Sequence, residues 1–587
     1  MMNQPHGDIF AFFLFKYCVR KHVVLFQLFF AKIHKAANTQ SVRTKNFTPL
    51  PISDLGRMNL FFDIPKVHQV DLLAGWLRPM DVGKLDSAVM CHKHRKELMD
   101  LLSSPECVLG CLEFMWEGTM EWIMHRQAKF TSIYLSNRVL SDGVAVEKVM
   151  QIIGPTLKSL EYSCSIQSEE DLEDDESLYP TPISMDQILY IFVRYMTALE
   201  SVKLCDGAVD GMLSALINSN RNTLKSIDLS ECSNVCASVL KACCDSPSLE
   251  EVIMCNGKFT EDFLSFSAKP NTTVQKLSFF GGLDTVQSLN YVNRFSHLRY
   301  VEAHLGDAEL ALVSMSCKLV EHARIAVSAP LTLPLATEVA KYWKDIVQLE
   351  ITPTESETRV CDQNVTLLFI NRCLKLQELI LAAPMRPRID DVPFKPIAIS
   401  VDESRTSYSH LRELMVSQLS KSALKAVIKK CPELHTLCIH RPVPTYMGSQ
   451  GHEHAEFSLE ILNNTKVKNL SLIYCMDFTI QQIASLHCLE KLELHYMGDD
   501  PSYDRSGREM IQFVQQCPTL HTLHLHHCSF FHDDNVLPLL HAAPSVVDFE
   551  YTPVGADNRP ALSPAELLLQ EVMGKLFPRL VYFEMRS

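Results

Sequence analysis

One apolar frame returns along most of this chain. It is complete in "CPTLHTLHLHHC" as Leu520-x-x-Leu523-x-Leu525-x-x-Cys528. It recurs as Leu224/Ile227/Leu229/Cys232 and as Val467/Leu470/Leu472/Cys475. Without the closing cysteine it starts at Leu199, Leu249, Val274, Leu298, Ile346, Leu376, Leu411, Leu434, Leu489, Val546 and Leu580. Earlier copies start at Phe130 and Leu157, and the weakest starts at Val320. From Leu199 to Leu298 the starts are 25, 25, 25 and 24 residues apart, a register that a chance pattern would not hold. Elsewhere insertions stretch the spacing, most of all between Leu157 and Leu199, where the acidic run "SEEDLEDDE" (168–176) falls. That run, within an insertion at about 167–182, reads as a solvated segment.

Each unit can be read physically. Leu-x-Leu has the two-residue period of a strand with one buried face. A polar turn follows, then helical spacing as in "CASVLKACC" (236–244) or "TIQQIASL" (479–486). Proline then ends the helix, because it lacks an N–H and clashes with the preceding turn; "SPSL", "CPEL", "CPTL" and "GPTL" all lead into strands. One unit cannot bury its apolar edge alone, so neighbours must stack, with a parallel strand ribbon on one side and helices on the other. Seventeen such strands make a ribbon roughly 75 Å along its arc, which suits a folded partner or a long peptide better than a small molecule.

The frame resembles the cysteine-containing subclass of leucine-rich repeats, C-P-x-L-x-x-L-x-L-x-x-C. The expected fold is therefore α/β: a leucine-rich-repeat solenoid over 130–587, parallel strands inside and helices on the convex side.

Residues 61–102 differ. Val70, Leu73, Trp76, Leu77, Val82, Leu85 and Val89 fall at helical spacing, and Pro79 followed by Asp81 marks a break and a new helix start. This small all-α module resembles an F-box. Ile64-Pro65 matches the opening of that motif, Trp76-Leu77 its hydrophobic pair, Pro79-Met80-Asp81-Val82 its central turn, and Leu85, Val89 and Arg95 its later positions. It departs from the motif in "KVHQ" after the proline and in His94. The resemblance implies docking onto the Skp-type adaptor of a cullin–RING ubiquitin ligase, through Pro65, Trp76, Leu77, Pro79, Val82 and Leu85, with the solenoid holding a protein target. The same helical pattern also fits a cap over the first repeat, in a repeat scaffold with no ligase link. Residues 103–129 read as a linker and cap helix, and 1–60 as an N-terminal extension.

Charge and motifs narrow the function further. A net charge of −14 argues against a nucleic-acid partner, which needs a basic surface to neutralise phosphates. The apolar stretch 9–33 is broken by Lys16, Arg20 and Lys21 into runs too short to span a bilayer, so no stable membrane insertion is expected. The 20 cysteines are scattered with no CxxC pair, which fits reduced, buried thiols in a cytoplasmic or nuclear protein. No phosphate-cradling, dinucleotide, zinc-protease or nucleophile-elbow motif occurs, so the reading is a non-enzyme. Cys91, His94, Cys107 and Cys111 have a spacing open to zinc but read as packing residues, and His452 and His454 lack partner cysteines.

On the strand ribbon the leucines point inward, which leaves the residues between them on the concave face. Glu493, His495, His524, His526 and Glu550 should then form one patch across adjacent strands. Such a set could hold zinc, but the reading adopted is architecture and partner contact, with no metal or cofactor assigned. Its histidines are expected to hold protons more tightly beside the glutamates. Ile253, Phe280, Ile380 and Met415 are apolar outward positions and mark a second patch for the target.

Overall fold

The computed structural model describes residues 62–585, apart from short stretches and the longer segments 164–182, 256–269, 281–291, 382–409, 441–458, 496–505 and 553–575. The apolar stretch 9–33, the acidic run, Trp76, Cys91, His452 and His454 therefore lie outside the described residues. The chain divides into two compact units, Met1–Gln69 and Val70–Ser587.

In the second unit eighteen strands, β1 (Val108–Glu113) to β18 (Tyr582–Met585), form one sheet among the described residues. Every pairing is parallel and joins neighbours in sequence. Helices fill most of the connections, as Gly211–Ser219 and Ala237–Asp245 do on either side of the strand Ser226–Ser233, and consecutive helices pack on each other. The chain is a leucine-rich-repeat solenoid.

All seventeen expected frames lie on strands, including the weakest, which is β9 (His322–Val327). The eighteenth, β1, lies within 103–129, ahead of residue 130 where the repeats were expected to begin. Its Leu109 and Leu112 stand opposite Phe130 and Ile133 of the next strand, so it carries the same frame. The helix Glu117–Arg126 occupies the rest of that span.

The core explains the frame. Leu520, Leu523, Leu525 and Cys528 are fully buried. Each such leucine contributes roughly 1.5–3 kcal/mol relative to exposure. The closing cysteine also ties one unit to the last: Cys528 Sγ donates to the Leu494 carbonyl at 3.4 Å, and Cys232 Sγ to the Leu204 carbonyl at 3.2 Å.

The position three before each frame closes the return turn, and several chemistries serve there. Cys517 Sγ donates to the Leu489 carbonyl at 3.5 Å. Trp343 Nε1 donates to the Cys317 carbonyl at 2.9 Å, and Asn271 Nδ2 reaches the Cys244 and Ser246 carbonyls at 3.1 and 2.9 Å. All three are buried, and Trp343 and Asn271 satisfy carbonyls freed where a helix ends.

Among the described residues no helix is long and apolar enough to cross a membrane.

Candidate binding surface on the open face of the sheet

Period-two alternation leaves one residue in two on the face away from the core, and parallel register aligns these residues into columns. One column runs the length of the sheet. In its later half Glu350 stands opposite Ile380, Ile380 opposite Met415, and Met415 opposite Cys438. It continues through Ser471 to Glu493, His524 and Glu550. A second column, two residues on, aligns His440, Ile473, His495, His526 and Thr552.

The register therefore brings Glu493, His495, His524, His526 and Glu550 together on β15 (Lys491–His495), β16 (Thr522–His526) and β17 (Asp548–Thr552). Glu493 Oε1 lies 3.2 Å from His524 Nδ1 and 2.7 Å from Lys491 Nζ. On its other edge, His524 Nε2 lies 3.4 Å from Asp548 Oδ1. Glu550 approaches both histidines of β16, with Oε2 3.8 Å from His524 Nδ1 and Oε1 3.9 Å from His526 Nε2. His526 Nδ1 shares a 2.8 Å hydrogen bond with the Thr552 hydroxyl, and its ring stacks on His495 with centroids 4.2 Å apart.

Charge on this patch is uneven. Burial alone would raise the Glu493 carboxyl, but hydrogen bonds and charge from His524 and Lys491 outweigh it and pull the group down to about 2. Burial works against charge on His524, yet the Glu493 hydrogen bond, with Asp548, Glu493 and Glu550 around it, raises its proton affinity. His495 goes the other way. Burial pushes it down to about 4 despite Glu493, and His440 and His524 add to the fall. His440, buried in the same column, is likewise pushed down to about 4. The expectation of tightly held protons thus fits His524 and fails for His495, where desolvation of the stacked ring dominates.

The patch is also less open than alternation implies. His526 and Glu550 are only 8% and 5% exposed, while Glu493, His495 and His524 are half-buried. Sequence reasoning passed over Asp548, Thr552 and Lys491, which complete its hydrogen bonding. All three sit in outward columns, so the signal was the same alternation carried one step to either side.

The second expected patch does not form as one surface. Ile380 and Met415 are directly opposed and half-buried, and Met415 packs against Cys438 and Ile473. Ile253 is distant from them in the column, flanked by Asp228 and Ser278 and separated from Ile380 by Glu302, Arg324 and Glu350. There Arg324 bridges Glu302 and Glu350 at 3.2 and 3.0 Å, so a charged stretch divides the two apolar sites. Phe280 is opposite Cys255, in the next column, and its side chain lies outside the described residues.

Of the residues expected to meet an adaptor, Pro65 is exposed and belongs to the first unit. In the second unit Leu77, Pro79 and Leu85 are half-buried. Val82 corrects the expectation: it is 0% exposed and serves the core of its own unit. Pro79 opens the helix Pro79–Ala88, where its missing N–H costs nothing. Asp86 anchors that helix, accepting from Trp122 Nε1 at 3.0 Å and Arg126 Nε at 2.8 Å. Cys107, once open to zinc, is buried with its thiol pushed up to about 11 by desolvation, as a packing residue.

No protein-family model matches the chain, and no curated relative matches it. Among solved structures, a chain from the crystal structure of the Rad7 and Elc1 complex in yeast aligns with it. The alignment spans 89% of this chain and 95% of that one, at 12% identity and a TM-score of 0.31.

Proposed function

We propose that this chain is a protein-interaction receptor whose open sheet face holds a protein target. The observation that carries this reading is the unbroken outward column from strand to strand. It offers an apolar stretch at Ile380 and Met415 and, four strands on from Met415, the polar patch centred on His524. An extended surface of alternating chemistry suits a macromolecular partner, whose side chains meet several columns at once. Target contact is assigned to Ile380, Met415, Glu493, His495 and His524, with Ile253 and Phe280 as separate outlying positions. His526 and Glu550 complete the patch from nearly covered positions in the same columns.

We further propose that residues 61–102 recruit a Skp-type adaptor and through it a cullin ligase core, in the cytoplasm or nucleus. This rests on the F-box resemblance of that segment. Leu77, Pro79 and Leu85 are the contact residues assigned in the second unit, with Trp76 and Pro65 from the motif. The test is co-expression of the full chain with a Skp-type adaptor, followed by co-purification. A stable complex lost in Trp76→Ala/Leu77→Ala supports the ligase reading, and no complex with the unaltered chain refutes it.

A second reading has its own support. Asp86, held by Trp122 and Arg126, fixes Pro79–Ala88 to the helix that follows β1, and Val82 points into the core. Those contacts favour a helical cap, the reading in which the repeats serve as a scaffold without a ligase link.

A further inference from the structure

We propose that His524, His526 and Glu550 form a binding site for a divalent transition-metal ion of the zinc class. Their donor atoms all lie within 4.8 Å of one another. The two cross-strand separations, His524 Nδ1 to Glu550 Oε2 and His526 Nε2 to Glu550 Oε1, are 3.8 and 3.9 Å. Ligands at 2.0–2.1 Å from a tetrahedral ion stand ~3.3 Å apart, so these two separations need to close by roughly half an ångström. Two imidazoles and a carboxylate are a donor set that zinc, cobalt and nickel accept, and that magnesium and calcium do not favour.

The surroundings of the histidines give a second, independent argument. A ligating imidazole works best when its other nitrogen is held by an acceptor, which fixes ring and tautomer. Both rings have an oxygen at that second nitrogen that is able to accept. His524 presents Nδ1 to both Glu493 and Glu550, at 3.2 and 3.8 Å, while its Nε2 lies 3.4 Å from Asp548 Oδ1. His526 turns Nε2 toward Glu550 while its Nδ1 is 2.8 Å from the Thr552 hydroxyl. Stacking on His495 limits rotation of the second ring. Glu493, 3.2 Å from His524 Nδ1 and 2.7 Å from Lys491 Nζ, borders the site as a further carboxylate. All these groups stand on paired strands rather than loops, and strands hold ligand geometry more tightly. The inference is independent of the ligase reading.

The test uses the full chain, stripped with chelator and titrated with Co2+ while its visible ligand-field absorption is recorded. Zn2+ is titrated in parallel by calorimetry. The expected result is one equivalent of each ion, with affinity falling at least tenfold in His526→Gln and Glu550→Gln and unchanged in His440→Gln. Circular dichroism identifies variants that keep the fold, and His524→Asn, at a half-buried position, provides a third. Binding below one-tenth equivalent in the unaltered chain overturns the proposal. So does a cobalt spectrum that survives in every folded variant of the three ligands.

Discussion

Arg126 donates from Nε to Asp86 Oδ2 at 2.8 Å, joining two helices across 40 residues of sequence. The side chains are only 18% and 4% exposed, so neither charge has water to fall back on. Removing one partner of such a pair leaves an uncompensated buried charge, a cost of about 3–5 kcal/mol. Asp86→Ala should lower the unfolding free energy read from denaturant titration by that order. If it does not, the pair is not what anchors Pro79–Ala88.

His440 makes the chain acid-sensitive. Burial depresses it from the ordinary 6.5 to about 4, so the unfolded chain takes up a proton that the folded one refuses. Its stabilising share is complete above pH 6.5 and is lost as pH falls toward 4, by about 3 kcal/mol in all. Chelator-treated protein should lose denaturant resistance between pH 7 and pH 5, and His440→Gln should lose less. Equal losses in the two proteins would exclude His440 as the source.

Thiol reactivity should follow burial. Cys317 and Cys373 are buried and pushed up to about 12, and Cys438 to about 11, whereas Cys111 and Cys488 are exposed. Because the thiolate is the reactive form, brief treatment of the native chain with an alkylating reagent should label Cys111 and Cys488 first among the described cysteines. Peptide mass spectrometry reads the order, and early labelling of Cys317 or Cys373 would contradict the packing.

Gly154 is held by space. A Cβ there would sit 2.8 Å from the Tyr195 carbonyl oxygen, and backbone cannot yield as a flexible side chain can. Gly154→Ala should cost about 1–3 kcal/mol by overpacking. A melting temperature equal to that of the unaltered chain would show that the return turn before β3 (Ser159–Ser163) relaxes freely.

Much of this architecture was legible because it is local. Leu-x-x-Leu-x-Leu dictates a strand, its buried face and the order of the ladder from residues within one unit. Even β1 carries the frame, as Leu109-x-x-Leu112-x-Phe114, but it lies between helical segments that concealed it. The columns followed as well: Glu493, His524 and Glu550 face one another because the repeats keep register.

What the sequence determined by itself, then, is which side of the sheet each of these residues takes. What only the tertiary structure decided is how deeply each is covered and what it touches. Alternation makes His526 and Glu550 outward, yet both are almost covered, His526 between His495 and Thr552 of the flanking strands, each more than 20 residues away. The same closure drives His495 toward the neutral form while Glu493 and Asp548 raise the proton affinity of His524. Val82 turned inward for a related reason: helical spacing names an apolar stripe, but only the packed neighbour decides whether that stripe is core or contact.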